Sequence, residues 1–123
     1  MTAPPAQITL MLFEGALLAL ERSLSGFTQP DPAEANMTIH NNLRRAQDII
    51  QALNGSLNME QGGEFAQTLR RLYTYFCRRI RESNIQKQSA GIQEVIGHLT
   101  VLRDAWATMM QRQNEPVSMS SGR

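Results

Sequence analysis

Apolar residues recur along this chain in alternating steps of three and four, the spacing that gathers side chains on one face of an α-helix, and no segment alternates with the period of two that a strand requires. The clearest stripe is Ile39, Leu43, Ala46, Ile50, Leu53 and Leu57. Asp31-Pro32-Ala33-Glu34 marks its start with an N-cap carboxylate, a proline at the first helical position and a glutamate able to reach back to the cap. Asn54-Gly55 offers a stop, but Leu57 continues the stripe, so this second helix is expected to run one turn further. The first helix is predicted from just after Thr2-Ala3-Pro4-Pro5 to about Ser25, with Gly26 as its stop. Asn58 to Gly63 reads as a short connection, followed by a third helix to about Ile85 on Ala66, Leu69, Tyr73, Phe76 and Ile80, widened by Phe65 and Leu72. Ser89 is the candidate cap of a fourth, striped by Ile92, Val95, Leu99, Leu102, Trp106 and Met109.

Four helices of roughly 20 to 25 residues joined by short connections force antiparallel neighbours, and the three-four stripes favour shallow crossing angles. The expected fold class is all-α, an antiparallel up-down-up-down four-helix bundle over residues 1–112, with the polar, aperiodic stretch 113–123 as a disordered tail. Leu43 and Leu69 are expected in its core.

The first helix departs from an ordinary amphipathic pattern. Projected at about 100° per residue, Ile8, Leu12 and Ala19 fall together and suit the interior, with Met11 and Leu18 beside them. Leu10, Phe13, Leu17, Leu20 and Leu24 point nearly the opposite way, and Glu14 and Glu21 mark only a narrow polar strip between. That second apolar face needs a cover. Either the helix is the central element of an asymmetric bundle or part of a homodimer interface, or Leu10, Phe13, Leu17, Leu20 and Leu24 form a groove for a partner's apolar segment.

Composition narrows the functions. A length of 123 residues suits one domain, and 12 Lys and Arg against 11 Asp and Glu leave a net charge of +1, which removes the global electrostatic argument for nucleic acid or membrane surfaces. Charge is local instead: Arg70, Arg71, Arg78 and Arg81 share one side of the third helix, with Arg79 further round and Arg44-Arg45 on the second. Such a face is solvated, paired with neighbouring acids, or aimed at an acidic protein surface, while nucleic acid is the weakest reading because Tyr73 and Phe76 belong to the core stripe. The single cysteine, Cys77, cannot staple the fold and lacks an activating neighbour. His40 and His98 have no ligand-spaced companions, and Gly62-Gly63 lacks the Lys and Ser or Thr of a phosphate loop. Neither catalysis, metal nor cofactor is expected. No apolar run reaches the roughly 20 residues a bilayer core requires, and no charged-then-apolar leader opens the chain, which points to the cytoplasm.

The same segments resemble the flagellar export chaperone family FliS. Ile8-Thr9-Leu10-Met11-Leu12-Phe13-Glu14-Gly15-Ala16 after Thr2-Ala3-Pro4-Pro5 looks like the family's opening stretch, with Phe13-Glu14 where Tyr-Asp usually stands. Arg45-Ala46-Gln47-Asp48-Ile49-Ile50 resembles its second-helix motif. The longest likeness runs from Leu57-Asn58-Met59-Glu60-Gln61-Gly62-Gly63-Glu64 through Leu72-Tyr73 to Arg78-Arg79-Ile80, and Leu102-Arg103-Asp104-Ala105-Trp106 closes it. The resemblance implies a cytoplasmic chaperone that holds the C-terminal region of flagellin, prevents premature polymerisation and delivers it to the flagellar type III export gate. A homodimer is expected when no client is bound. The family carries a short tyrosine-bearing segment ahead of its first long helix, and this sequence is expected to start beyond it.

Overall fold

The computed structural model describes residues 5–113. They form four helices, α1 (Pro5–Ser25), α2 (Pro32–Gly55), α3 (Met59–Gln86) and α4 (Ala90–Gln113), with a 3-10 turn at Gly26–Thr28 and no strand among the described residues. The expected tail lies outside them except for Gln113, which closes α4.

Local chemistry sets most boundaries. Asp31 caps α2, its Oδ1 accepting from the Ala33 N–H at 3.2 Å ahead of Pro32. Asn58 caps α3, accepting from the Gln61 N–H at 3.0 Å, and its side-chain amide donates to Gln61 Oε1 at 3.2 Å, which holds the cap in place. Two sequence expectations shift here. The second helix ends at Gly55, not beyond Leu57, because Asn58 is already committed to capping the next helix. The stretch from Met59 is helical rather than a connection, and it is broken at Gly63 (φ 55°, ψ −134°), a conformation that an L side chain resists. α3 closes with Lys87 left-handed and Gln88 N–H donating to Ser83 O at 3.1 Å, a Schellman-type stop built without glycine.

α1 packs against α2 and α4, and α3 against α2 and α4; the α1–α2 seam is the most extensive. Phe76, Leu20, Leu43, Ile50, Leu53, Ile80, Ile92, Val95 and Leu99 are fully buried and join all four helices in one core.

Of the face of α1 assigned to the interior by projection, Ala19 is buried and Leu12 packs against the core as expected, but the rest of the assignment is corrected. Phe13, Leu17 and Leu20 are buried in the core, Leu10 and Leu24 are half-buried, and Ile8, Met11 and Leu18 are exposed. The reason is a seam of small residues. Gly15 and Gly26 face α2, where an added Cβ would lie 3.4 Å from Ile49 Cδ1 and 2.7 Å from Ile39 Cγ1, and Ala16, Ala19 and Ser23 are buried along the same side. Small residues let two backbones approach closely, so α1 seats on α2 through them and turns its bulky leucines and Phe13 into the interior. Its wide apolar arc is therefore spent on two neighbours within the bundle, leaving only Ile8, Met11 and Leu18 uncovered.

Candidate functional site

An apolar concavity lies where the start of α1, the end of α2, the start of α3 and the end of α4 meet. It is a cleft of about 380 Å³ lined by Thr9 and Phe13, by Leu53, Leu57 and Asn58, by Phe65, Ala66, Leu69 and Tyr73, and by Leu102, Ala105, Trp106 and Met109. Each wall follows from local structure. Trp106 is fixed by donating from Nε1 to Ala6 O at 3.0 Å, and its ring tilts against Phe13 at 6.5 Å between centroids. The break at Gly63 sets the first turn of α3 apart from the rest of that helix, and just beyond it Phe65 remains 70 % exposed at the rim. Phe13 and Tyr73 form the buried floor.

An exposed phenylalanine beside half-buried Leu57, Leu69 and Trp106 is surface that a water-facing bundle does not need. The polar groups at the cleft are neutral, Thr9, Ser56 and Asn58, so it favours apolar side chains over charged ligands. Burial pushes the Tyr73 phenol up to about 12, so it stays protonated in the floor.

Of Leu10, Phe13, Leu17, Leu20 and Leu24, Phe13 lines this cleft and the others do not. Sequence reasoning missed Phe65, Leu69 and Trp106 as site residues because they continue the core stripes of their helices. Leu69, expected in the core, is half-buried in the cleft wall. The legible signal was the pair Gly62-Gly63 shortly before Phe65, a helix breaker that places Phe65 near the start of the continuous part of α3, where the stripe begins to run past the bundle.

Away from the cleft, α3 and α4 are tied by a polar cluster. Glu94 accepts from the Tyr75 hydroxyl at 2.5 Å and from Arg79 Nε at 2.9 Å, and Arg79 also pairs with Glu82 at 3.2 Å. The Tyr75 hydrogen bond, then that of Arg79, hold the Glu94 carboxyl below its ordinary value. His98 stacks on the Phe76 ring at 5.7 Å. The buried Cys77 thiol is pushed up by desolvation, which opposes nucleophilic use. Among the described residues no three His, Cys, Asp or Glu side chains converge as metal ligands, and no helix is long and apolar enough to cross a membrane.

Comparison with known proteins supplies the remaining observation. The family model described as Flagellar protein FliS matches residues 1–113. The flagellar secretion chaperone FliS of Bacillus subtilis (strain 168) is 33 % identical over 121 residues, covering 98 % of this chain and 86 % of that protein. Its counterparts in Salmonella typhimurium (strain LT2) and Escherichia coli (strain K12) are 36 % and 34 % identical over 107 residues, each covering 86 % of this chain and 76 % of the relative.

Proposed function

The chain belongs to the FliS family of flagellar secretion chaperones, and on that premise we propose that it holds the C-terminal region of flagellin in the cleft beside Trp106. The family is one of chaperones and not of enzymes. In this reading the bound segment is kept from polymerising in the cytoplasm and is passed to the export gate of the flagellar type III secretion system. The observation that carries the site is the cleft itself, apolar, open to solvent and rimmed by exposed Phe65. Inserting four apolar client side chains there would contribute roughly 6 to 12 kcal/mol gross, before the cost of ordering the client is subtracted.

The proposal includes an antiparallel, up-down-up-down course for the four helices. It is supported by contacts that pair early positions of one helix with late positions of its neighbour: Gly26 with Ile39 and Gly15 with Ile49, His40 with Asn84 and Gln47 with Cys77, Tyr75 with Glu94, and Ala6 with Trp106.

Titration with a flagellin C-terminal peptide tests the function. One-to-one binding that is weakened by Phe65→Ser and Leu69→Ser supports it, and equal affinity for a scrambled peptide refutes it. A second reading, a helical adaptor or homodimerisation module without flagellin binding, draws on a different observation, the exposed Ile8, Met11 and Leu18 of α1. Sedimentation separates the two, since a dimer abolished by Met11→Glu and indifferent to the peptide would favour the adaptor.

A further inference from the structure

The arginines of α3 are not absorbed by the cleft. Arg70, Thr74, Arg78, Arg81 and Ile85 follow one another at steps of four and three, so they share the outward face of the helix, with Arg71 beside them. All four arginines are exposed, and among the described residues none has a carboxylate within ion-pairing distance. Two of them are held by neutral groups: Arg71 donates to Thr68 Oγ1 at 3.3 Å, and the Arg78 guanidinium lies over the Tyr75 ring at 5.3 Å. Their orientation is thereby restrained while their charge stays available. Glu82, the acid nearest in sequence, is turned to Arg79 instead.

α2 extends the field. His40 meets Asn84 and Gln47 donates to Cys77 O, so the side of α2 carrying those residues faces α3, and exposed Arg44 sits between them on that side.

A helix face kept only for solubility intersperses acids at four-residue spacing, which gains a few tenths of a kcal/mol per pair where like charges lose it. On this face the cations outnumber the acids in a chain whose net charge is only +1: Glu82, four residues after Arg78, is drawn to Arg79, and Asp48 is the acid four residues after Arg44. Every cation on it is arginine, whose planar fork grips carboxylates in pairs. From Arg70 to Arg81 it extends about 17 Å, and it ends at Ile85, which is 76 % exposed. Aromatic platforms for bases are not free on it among the described residues: Tyr73 and Phe76 are buried, and the Tyr75 ring is covered by the Arg78 guanidinium.

We propose that the outward face of α3, with Arg44 of α2, is a second docking surface that receives an acidic helical segment of a protein, its carboxylates on the arginines and an apolar residue on Ile85. The surface is distinct from the cleft, so both can be occupied at once.

The full chain and a designed acidic helix test it, the probe bearing Glu at positions matching Arg70, Arg78 and Arg81 and a leucine beyond the last. The triple variant R70E/R78E/R81E should bind this probe at least about tenfold more weakly, and Ile85→Ser about threefold more weakly. Both should retain the helical circular dichroism of the parent and its affinity for the flagellin C-terminal peptide. The milder R70Q/R78Q repeats the measurement without charge reversal. Undiminished probe binding by the variants, or tighter binding of a short oligo-dT than of the probe, would overturn the assignment, the latter in favour of nucleic acid. Loss of flagellin peptide binding in the same variants would also overturn it, because the two surfaces would then be one.

Discussion

The indole of Trp106 donates to the carbonyl of Ala6 across 100 residues of sequence, fastening the end of α4 to the first turn of α1 at the mouth of the cleft. Because it is the one tryptophan in the chain, its emission reports this spot alone. Binding of a flagellin C-terminal peptide should shift that emission to the blue. Trp106→Phe should cost about 0.5–1.5 kcal/mol of stability for the hydrogen bond, and Trp106→Ala more, with a loss of peptide affinity. Calorimetric binding without any spectral change would mean that the peptide lies elsewhere.

The corrected orientation of α1 predicts an order among its substitutions. Met11→Glu and Leu18→Glu, on exposed positions, should change stability by less than about 0.5 kcal/mol, while Leu20→Ala, in the core, should cost about 2–5 kcal/mol. Urea denaturation of the three variants decides it. The reverse order would restore the face first read from the projection.

Two glycines should respond with opposite sign. Gly63→Ala forces a side chain into a positive-φ conformation and should cost about 1–3 kcal/mol while closing or distorting the cleft. Gly97→Ala, in the middle of α4 with open space around the new methyl, should stabilise by up to about 1 kcal/mol. Thermal melts read both, and a stabilised Gly63→Ala would show that the break in α3 is not required.

Acid should loosen the α3–α4 seam through Glu94. Its folded pKa is depressed below the ordinary 4.5, chiefly by the Tyr75 hydroxyl and next by Arg79, so the unfolded chain takes up this proton first. The stability it brings is whole above about pH 4.5 and is lost as the pH falls through the folded value. Glu94→Gln should flatten the acid limb of the stability profile, and Tyr75→Phe should do so partly. Unchanged acid limbs in both variants would remove the cluster from the account.

Helix number, type and most ends were legible because caps and stripes are local: Asp31 and Ser89 stand where helices begin, and Ile39 to Leu53 lie in the core as spaced, whereas Asn58, read as part of a connection, caps α3. The orientation of α1 was not. A helix apolar on two sides leaves its rotation undetermined until its neighbours are known, and the deciding feature was size rather than hydrophobicity, since Gly15, Ala19 and Gly26 permit an approach that Ile8 and Leu18 do not. The cleft was hidden for a related reason. Phe65, Leu69 and Trp106 obey the same spacing as buried residues, and only the break at Gly63 and the layout of helix ends reveal that their stripe runs out over solvent.

The small-residue seam also bears on the order in which the molecule assembles. α1 and α2 are adjacent in sequence, separated by one tight turn, and they share the most extensive contact, so their docking closes a short loop at low entropic cost. Contact between α1 and α4 must close nearly the whole chain. The rate-limiting ensemble is therefore expected to contain a formed α1–α2 hairpin with α4 still undocked. In kinetic terms, Leu43→Ala should slow folding with a φ-value above about 0.5, and Leu99→Ala should mainly speed unfolding, with a value nearer zero. Equal values would indicate a nucleus spread over all four helices. With this order, the mouth beside Trp106 would be the last part to form, and a newly made chaperone would acquire its binding end only when the bundle closes.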